Sequence, residues 1–158
     1  MEQSLDGKAT DVAARAAAMI SPVDEATVEA MQDYGYQLGM AFQIMDDILD
    51  FNGEQAEVGK PVGSDLLQGL ITLPTLHYIE DHPDDPDVQA HLEGNTDANR
   101  DMRLRLVQSI RKSDAISPSM NEAEKYVAEA LRALADMPAG TERQALEDLA
   151  RYIVDRRI

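Results

Sequence analysis

Three aspartates stand together in Asp46-Asp47-Ile48-Leu49-Asp50, at positions i, i+1 and i+4. On a helix Asp46 and Asp50 lie one turn apart and Asp47 is three residues from Asp50, so the three carboxylates can converge. Like charges at that spacing repel, and a hard cation that prefers oxygen ligands relieves the repulsion. Mg2+ suits such a set because it keeps several waters and binds one or two carboxylates together with substrate phosphates. The chain carries eighteen aspartates in 158 residues, so a trio of this kind also arises on a plain solvated face. Asp84-Asp85-Pro86-Asp87 is read as such a surface cluster.

The neighbours of the trio favour chemistry. Gly35, Gly39, Gln43 and Asp47 recur at spacing four. Each glycine inside a helix costs about 1 kcal/mol relative to alanine, which calls for a reason such as the close approach of another helix. Phe42 and Gln43 precede the acidic pair by one turn, an apolar wall and an amide beside the charge. Further on, Gly59-Lys60-Pro61-Val62-Gly63-Ser64-Asp65 brings a lysine suited to meeting phosphate as a point charge.

The element that must position these residues is a helix running from an Asp24 cap to about Phe51. Its apolar residues Val28, Met31, Leu38, Phe42, Met45 and Leu49 recur at three- and four-residue steps. An Ala-rich helix over 9–20 precedes it, and Ser21-Pro22 ends that one. Residues 52–63, with Gly53, Gly59, Gly63 and Pro61, read as a loop. Ser64 or Asp65 then caps a helix to about Glu80, kinked or broken near Ile71 by Pro74. Residues 81–87 read as a surface connection, and helices are expected over 97–113, 119–136 (capped by Ser117 or Ser119) and 141–156 (capped by Thr141). No segment alternates as a strand does. The expectation is an all-α helix bundle forming one domain over residues 1–158.

Composition narrows the function classes. The formal net charge is −16, from 30 acidic and 14 basic residues, which repels nucleic acid and anionic membrane surfaces. Cysteine is absent, so disulfides and thiolate metal sites are excluded. No run of eighteen apolar residues is present to span a membrane. Glu2 and Asp6 stand where a signal peptide would be basic, and a cytoplasmic location is the default expectation.

The string GMAFQIMDDILDF followed by GKPVGSDLLQGLITLP resembles the second aspartate-rich region of the trans-polyprenyl diphosphate synthases. Members of that family read G-x-x-F-Q-x-x-D-D-x-x-D and then G-K-x-x-G-x-D-L-x-x-G-K-x-T-L-P. Gly39, Phe42, Gln43, Asp46, Asp47, Asp50, Gly59, Lys60, Gly63, Asp65, Leu66, Gly69, Thr72, Leu73 and Pro74 meet that pattern. Gly7-Lys8-Ala9-Thr10 is similar to the family's Gly-Lys-Thr element, and LARYIVDRR to its C-terminal pattern. Two positions depart: Leu70 stands where the family usually has lysine, and residues 8–10 run Lys-Ala-Thr instead of Lys-Thr-Ala.

The resemblance implies the C-terminal half of an isoprenoid-synthase-type fold and Mg2+-dependent head-to-tail condensation of isopentenyl diphosphate with an allylic diphosphate. It implies Asp46, Asp47 and Asp50 as metal ligands, and Lys8 and Lys60 as diphosphate contacts. Thr10, Phe42, Gln43 and Asp65 would stand behind them or against substrate. Such synthases are about twice this length, and the family's first aspartate-rich motif has no counterpart here. The expectation is therefore a half-site, silent alone, that works with an N-terminal half-synthase subunit or as an oligomer. The alternative is a non-catalytic subunit that tunes a full-length synthase.

Overall fold

The structure, a computed structural model, describes residues 5–52, 61–94 and 99–156, with side chains of the first helix described from Ala9 and of the sixth from Arg100. Eight helices follow in order among the described residues: α1 (Leu5–Met19), α2 (Glu25–Asp50), α3 (Ser64–Gln68), α4 (Leu73–Asp81), α5 (Pro86–Leu92), α6 (Asn99–Lys112), α7 (Ile116–Ala133) and α8 (Thr141–Asp155). No strand occurs among them. The all-α expectation holds.

The chain divides into two compact units, residues 1–45 with 121–157, and residues 46–120. In the first unit α2 begins as expected. Asp24 accepts the Thr27 backbone N–H at 2.9 Å and the Thr27 hydroxyl at 2.6 Å, which satisfies one of the donors a helix start leaves open. The apolar face of α2 differs from the expected one. Val28, Leu38 and Met45 are buried, but so are Tyr34, Ala41 and Ile44, whereas Phe42 is 40% exposed. The buried arc is wider than one stripe because small residues let neighbours close around the helix. Tyr34 ends this packing with a hydrogen bond, its hydroxyl donating to the Leu146 carbonyl of α8 at 2.9 Å.

The second unit has its own core of Phe51, Leu66, Tyr78, Val88, Leu106, Val107, Ile110 and Ala115. Two departures from the sequence reading lie here. The break expected near Ile71 is a full stop between α3 and α4. Gly69 takes a left-handed conformation (φ 91°) and its N–H closes onto α3, while Pro74 sits in the first turn of α4, where its missing N–H has no cost. The 81–87 connection is also shorter than expected, because Asp85 caps α5 by accepting the Asp87 N–H at 2.8 Å.

The expected cap of the seventh helix needs correction. Ser119 is fully buried inside α7 and its hydroxyl donates back to the Ala115 carbonyl at 3.4 Å. Ser117 likewise lies within α7, which begins at Ile116. Gly140, not Thr141, is the N-cap of α8.

Candidate functional site

The acidic trio occupies the last turn of α2, where that helix enters the second unit. Asp46 and Asp47 are half-buried, and Asp50 is buried at 7% exposure. The structure divides the trio. Both oxygens of the Asp50 carboxylate accept hydrogen bonds from the start of α3. Oδ1 takes the Ser64 N–H at 3.1 Å and the Ser64 hydroxyl at 2.7 Å, and Oδ2 takes the Asp65 N–H at 3.1 Å. Among the described residues no three of His, Cys, Asp and Glu are grouped so as to hold a metal ion. A neighbouring helix start takes up one of the three.

Asp46 and Asp47 keep the chemistry that Mg2+ requires. They are adjacent oxygen donors, and that ion needs only one or two carboxylates when substrate phosphates complete its shell. Their donor type fits the ion, and the Asp50 carboxylate beside them accepts three hydrogen bonds.

Asp65 lines a groove of about 460 Å3 with Pro61, Ser64, Leu67, Gln68, Arg100 and Arg103. The Arg103 guanidinium donates to the Leu67 carbonyl at 2.8 Å and passes over Gly69, where a β-carbon would stand 3.2 Å from Nη2. Sequence reasoning missed both arginines. Their only signal was a basic pair, Arg100 and Arg103, on one face of a helix in an acidic chain.

A second groove, of about 430 Å3, belongs to the first unit. Thr10 of α1, Leu38, Gly39 and Phe42 of α2, and Leu149, Tyr152 and Arg156 at the end of the chain form its walls. The Arg156 guanidinium lies 4.5 Å from the Phe42 ring centroid, a cation–π distance. Thr10 and Phe42 thus meet at one apolar wall, as two of the expected substrate-side residues. Arg156 is a further cation that sequence reasoning left unassigned within the LARYIVDRR stretch. Gln43 is half-buried on α2. Lys60 lies outside the described residues, and so does the side chain of Lys8.

Comparison with known proteins gives the family. The polyprenyl synthetase family model matches residues 6–110. Heptaprenyl diphosphate synthase component 2 of Bacillus subtilis (strain 168) is 37% identical over 147 residues, which is 92% of this chain and 41% of that protein. Octaprenyl diphosphate synthase of Haemophilus influenzae is 35% identical, over 92% of this chain and 44% of its own length. The crystal structure of heptaprenyl diphosphate synthase from Staphylococcus aureus matches with a TM-score of 0.85 and 33% identity, covering 96% of this chain and 47% of that one. The polyprenyl synthase of Caulobacter crescentus, solved with calcium and isoprenyl diphosphate, matches with a TM-score of 0.83 and 35% identity over 96% and 47%. The chain spans less than half the length of these relatives. Among the described residues no helix is long and apolar enough to cross a membrane. With the acidic end of α2, the grooves and these matches taken together, the chain belongs to the polyprenyl synthetase family.

Proposed function

We propose that this chain supplies one side of a trans-prenyltransferase site, which condenses isopentenyl diphosphate with an allylic diphosphate head to tail. The observation that carries the reading is the pair Asp46 and Asp47 at the end of α2, in a chain of the polyprenyl synthetase family. Asp46 and Asp47 would hold Mg2+, which when bound neutralises charge on the departing diphosphate. A Caulobacter crescentus relative was solved with calcium and isoprenyl diphosphate, which supports an oxygen-ligated divalent cation beside a prenyl diphosphate.

The residues of the chain divide the remaining work. Lys8 and Lys60 contact diphosphate oxygens as point charges, which Lys does well without fixed fork geometry. Phe42 forms an apolar wall for the prenyl tail, with Thr10 beside it on the same groove. Gln43 orients the acidic pair, and Asp65 reaches the ion through water.

The rest of the site comes from protein outside these 158 residues. The relatives matched are more than twice as long, and two of them bear the name component 2 of a heptaprenyl synthase, which supports a partner component. Exposed apolar side chains, Leu149 at 47% and Tyr152 at 62% beside Phe42, suit contact with such a partner. The test is prenyl transfer from isopentenyl and geranyl diphosphates in Mg2+, with the chain alone and with an N-terminal half added. Silence alone and turnover with the added half is expected. Turnover by the chain alone overturns the half-site, and silence in both overturns the prenyl-transfer reading in favour of a tuning subunit.

A further inference from the structure

Several arginines of this acidic chain are paired with carboxylates. Arg105 meets Asp87, Arg132 meets Glu129, and Arg143 and Arg151 share Glu147. Arg100 and Arg103 differ. Neither makes an ion pair among the described residues, although both line the groove beside α3 that Asp65 also lines. They stand three residues apart on α6, so one helical turn brings both side chains to the same side.

The protein holds Arg103 in place without neutralising it. Nη1 donates to the Leu67 carbonyl at 2.8 Å, Nη2 passes over Gly69, and Nε is enclosed with no hydrogen-bond partner among the described residues. A carbonyl orients a guanidinium but leaves its charge uncompensated, and four of its five donors remain for other partners. Arg100 is exposed and adds a second fork one turn away, and Gln68 adds an amide. Asp65 is the one acid among the described lining residues, so that lining sums to +1, in a chain of −16. Acids farther off than about 10 Å are screened at 0.1 M salt, and the arginines decide what the groove attracts. Guanidinium forks match phosphate oxygens bidentately, and two forks one turn apart suit an anion whose oxygens sit on two centres. The apolar lining is only Pro61 and Leu67, too little for a prenyl tail.

We propose that the groove between α3 and α6 binds inorganic diphosphate, held by Arg100 and Arg103 with Gln68 beside them, apart from the Lys8 and Lys60 contacts. The inference rests on the prenyl-transfer reading only for the source of the anion, which that condensation releases when the allylic carbon–oxygen bond breaks. The binding itself rests on the two arginines.

The test is calorimetric titration of this chain with inorganic diphosphate in EDTA, which keeps the acidic end of α2 from recruiting the anion through a metal. The host protein carries Lys8→Ala and Lys60→Ala, so the lysines assigned to the reaction contribute nothing. R100A and R103A should each weaken binding by on the order of tenfold. R103K should also weaken it, because lysine keeps the charge and loses the fork. R111A removes an exposed arginine from the same helix and should leave affinity within about twofold. Inorganic phosphate should bind on the order of tenfold more weakly than diphosphate. Geranyl diphosphate should stay within about threefold of diphosphate, since the groove has little to offer its tail.

No binding by the host overturns the proposal. Equal losses in R100A, R103A and R111A overturn it too, leaving only an effect of net charge. Phosphate binding as tightly as diphosphate overturns the two-centre recognition, and geranyl diphosphate binding tenfold tighter overturns inorganic diphosphate as the occupant. If R103A fails to fold without its bond to Leu67, R100A decides the matter, since that side chain is exposed. The titration needs neither metal nor turnover, so silence in prenyl transfer counts against the proposed function while the groove is judged separately.

Discussion

A β-carbon placed on Gly35 would stand 2.6 Å from the carbonyl oxygen of Thr10 and 2.8 Å from the β-carbon of Ala14. Gly35 therefore marks where α1 and α2 touch backbone to backbone. The glycine at this point of α2 costs helix stability, and the approach of α1 is the compensating contact.

Gly35→Ala is the direct test of that contact. Alanine gains about 1 kcal/mol of intrinsic helix propensity, yet overpacking against backbone typically costs 1–3 kcal/mol, and here the neighbour is a carbonyl that cannot rotate away. Net destabilisation is expected in urea denaturation, with Thr10 displaced. A stabilised variant would mean that α1 does not pack on Gly35.

Gly63→Ala should be worse. The residue sits at φ 70°, a conformation that costs a side-chain-bearing residue about 1–2 kcal/mol. Its β-carbon would also overlap the Val107 side chain in the core. The double variant G63A/V107A removes the overlap but not the strain. Its destabilisation should fall short of the sum of the two single changes. Additivity in the same denaturation experiment would show that Val107 does not press on Gly63.

Tyr34 predicts an alkaline weakness. Burial pushes its hydroxyl pKa up to about 12, above the ordinary value of 10. Between those values the unfolded chain releases this proton while the folded chain keeps it, so stability falls as pH rises from 10 towards 12. Below pH 10 the contribution is fully present. Tyr34→Phe loses the bond to Leu146, worth about 1 kcal/mol near neutrality, and loses the alkaline slope with it. The stability gap between parent and variant should therefore narrow across pH 10–12, followed by melting temperature. A constant gap would place the Tyr34 hydroxyl in water.

Replacement of Asp46 or Asp47 by Asn should leave folding close to unchanged, since both are half-buried at a helix end. Prenyl transfer reconstituted with an N-terminal half should fall on the order of 100-fold, as expected when a group opposing charge growth in the transition state is removed. Undiminished turnover in both variants would remove this pair from the reaction.

Much of the fold was legible in local sequence. The Asp24 cap, the helix it starts, the break before Pro74 and the last helix all follow from propensity and punctuation over a few residues. Helix α5 was missed because its signal, Asp85-Pro86, is buried in an acidic run that also reads as plain surface. Ser119 was misread as a cap because serine at a helix start and serine bonding back one turn inside a helix look alike in sequence.

The candidate site divides along the same line. Residue types and spacing marked an acidic helix end, with Phe42 and Gln43 one turn before it and a Gly-Lys segment after it, as the candidate for chemistry, because i, i+1 and i+4 spacing is a property of any helix. Tertiary structure decided what surrounds Asp50. The three acids of the trio are chemically identical, and only the arrival of α3, fourteen residues onward, gives Asp50 its three donors. The wall that Thr10, Phe42 and Arg156 share is likewise written nowhere in local sequence, since those residues come from the beginning, middle and end of the chain and meet only when the helices pack.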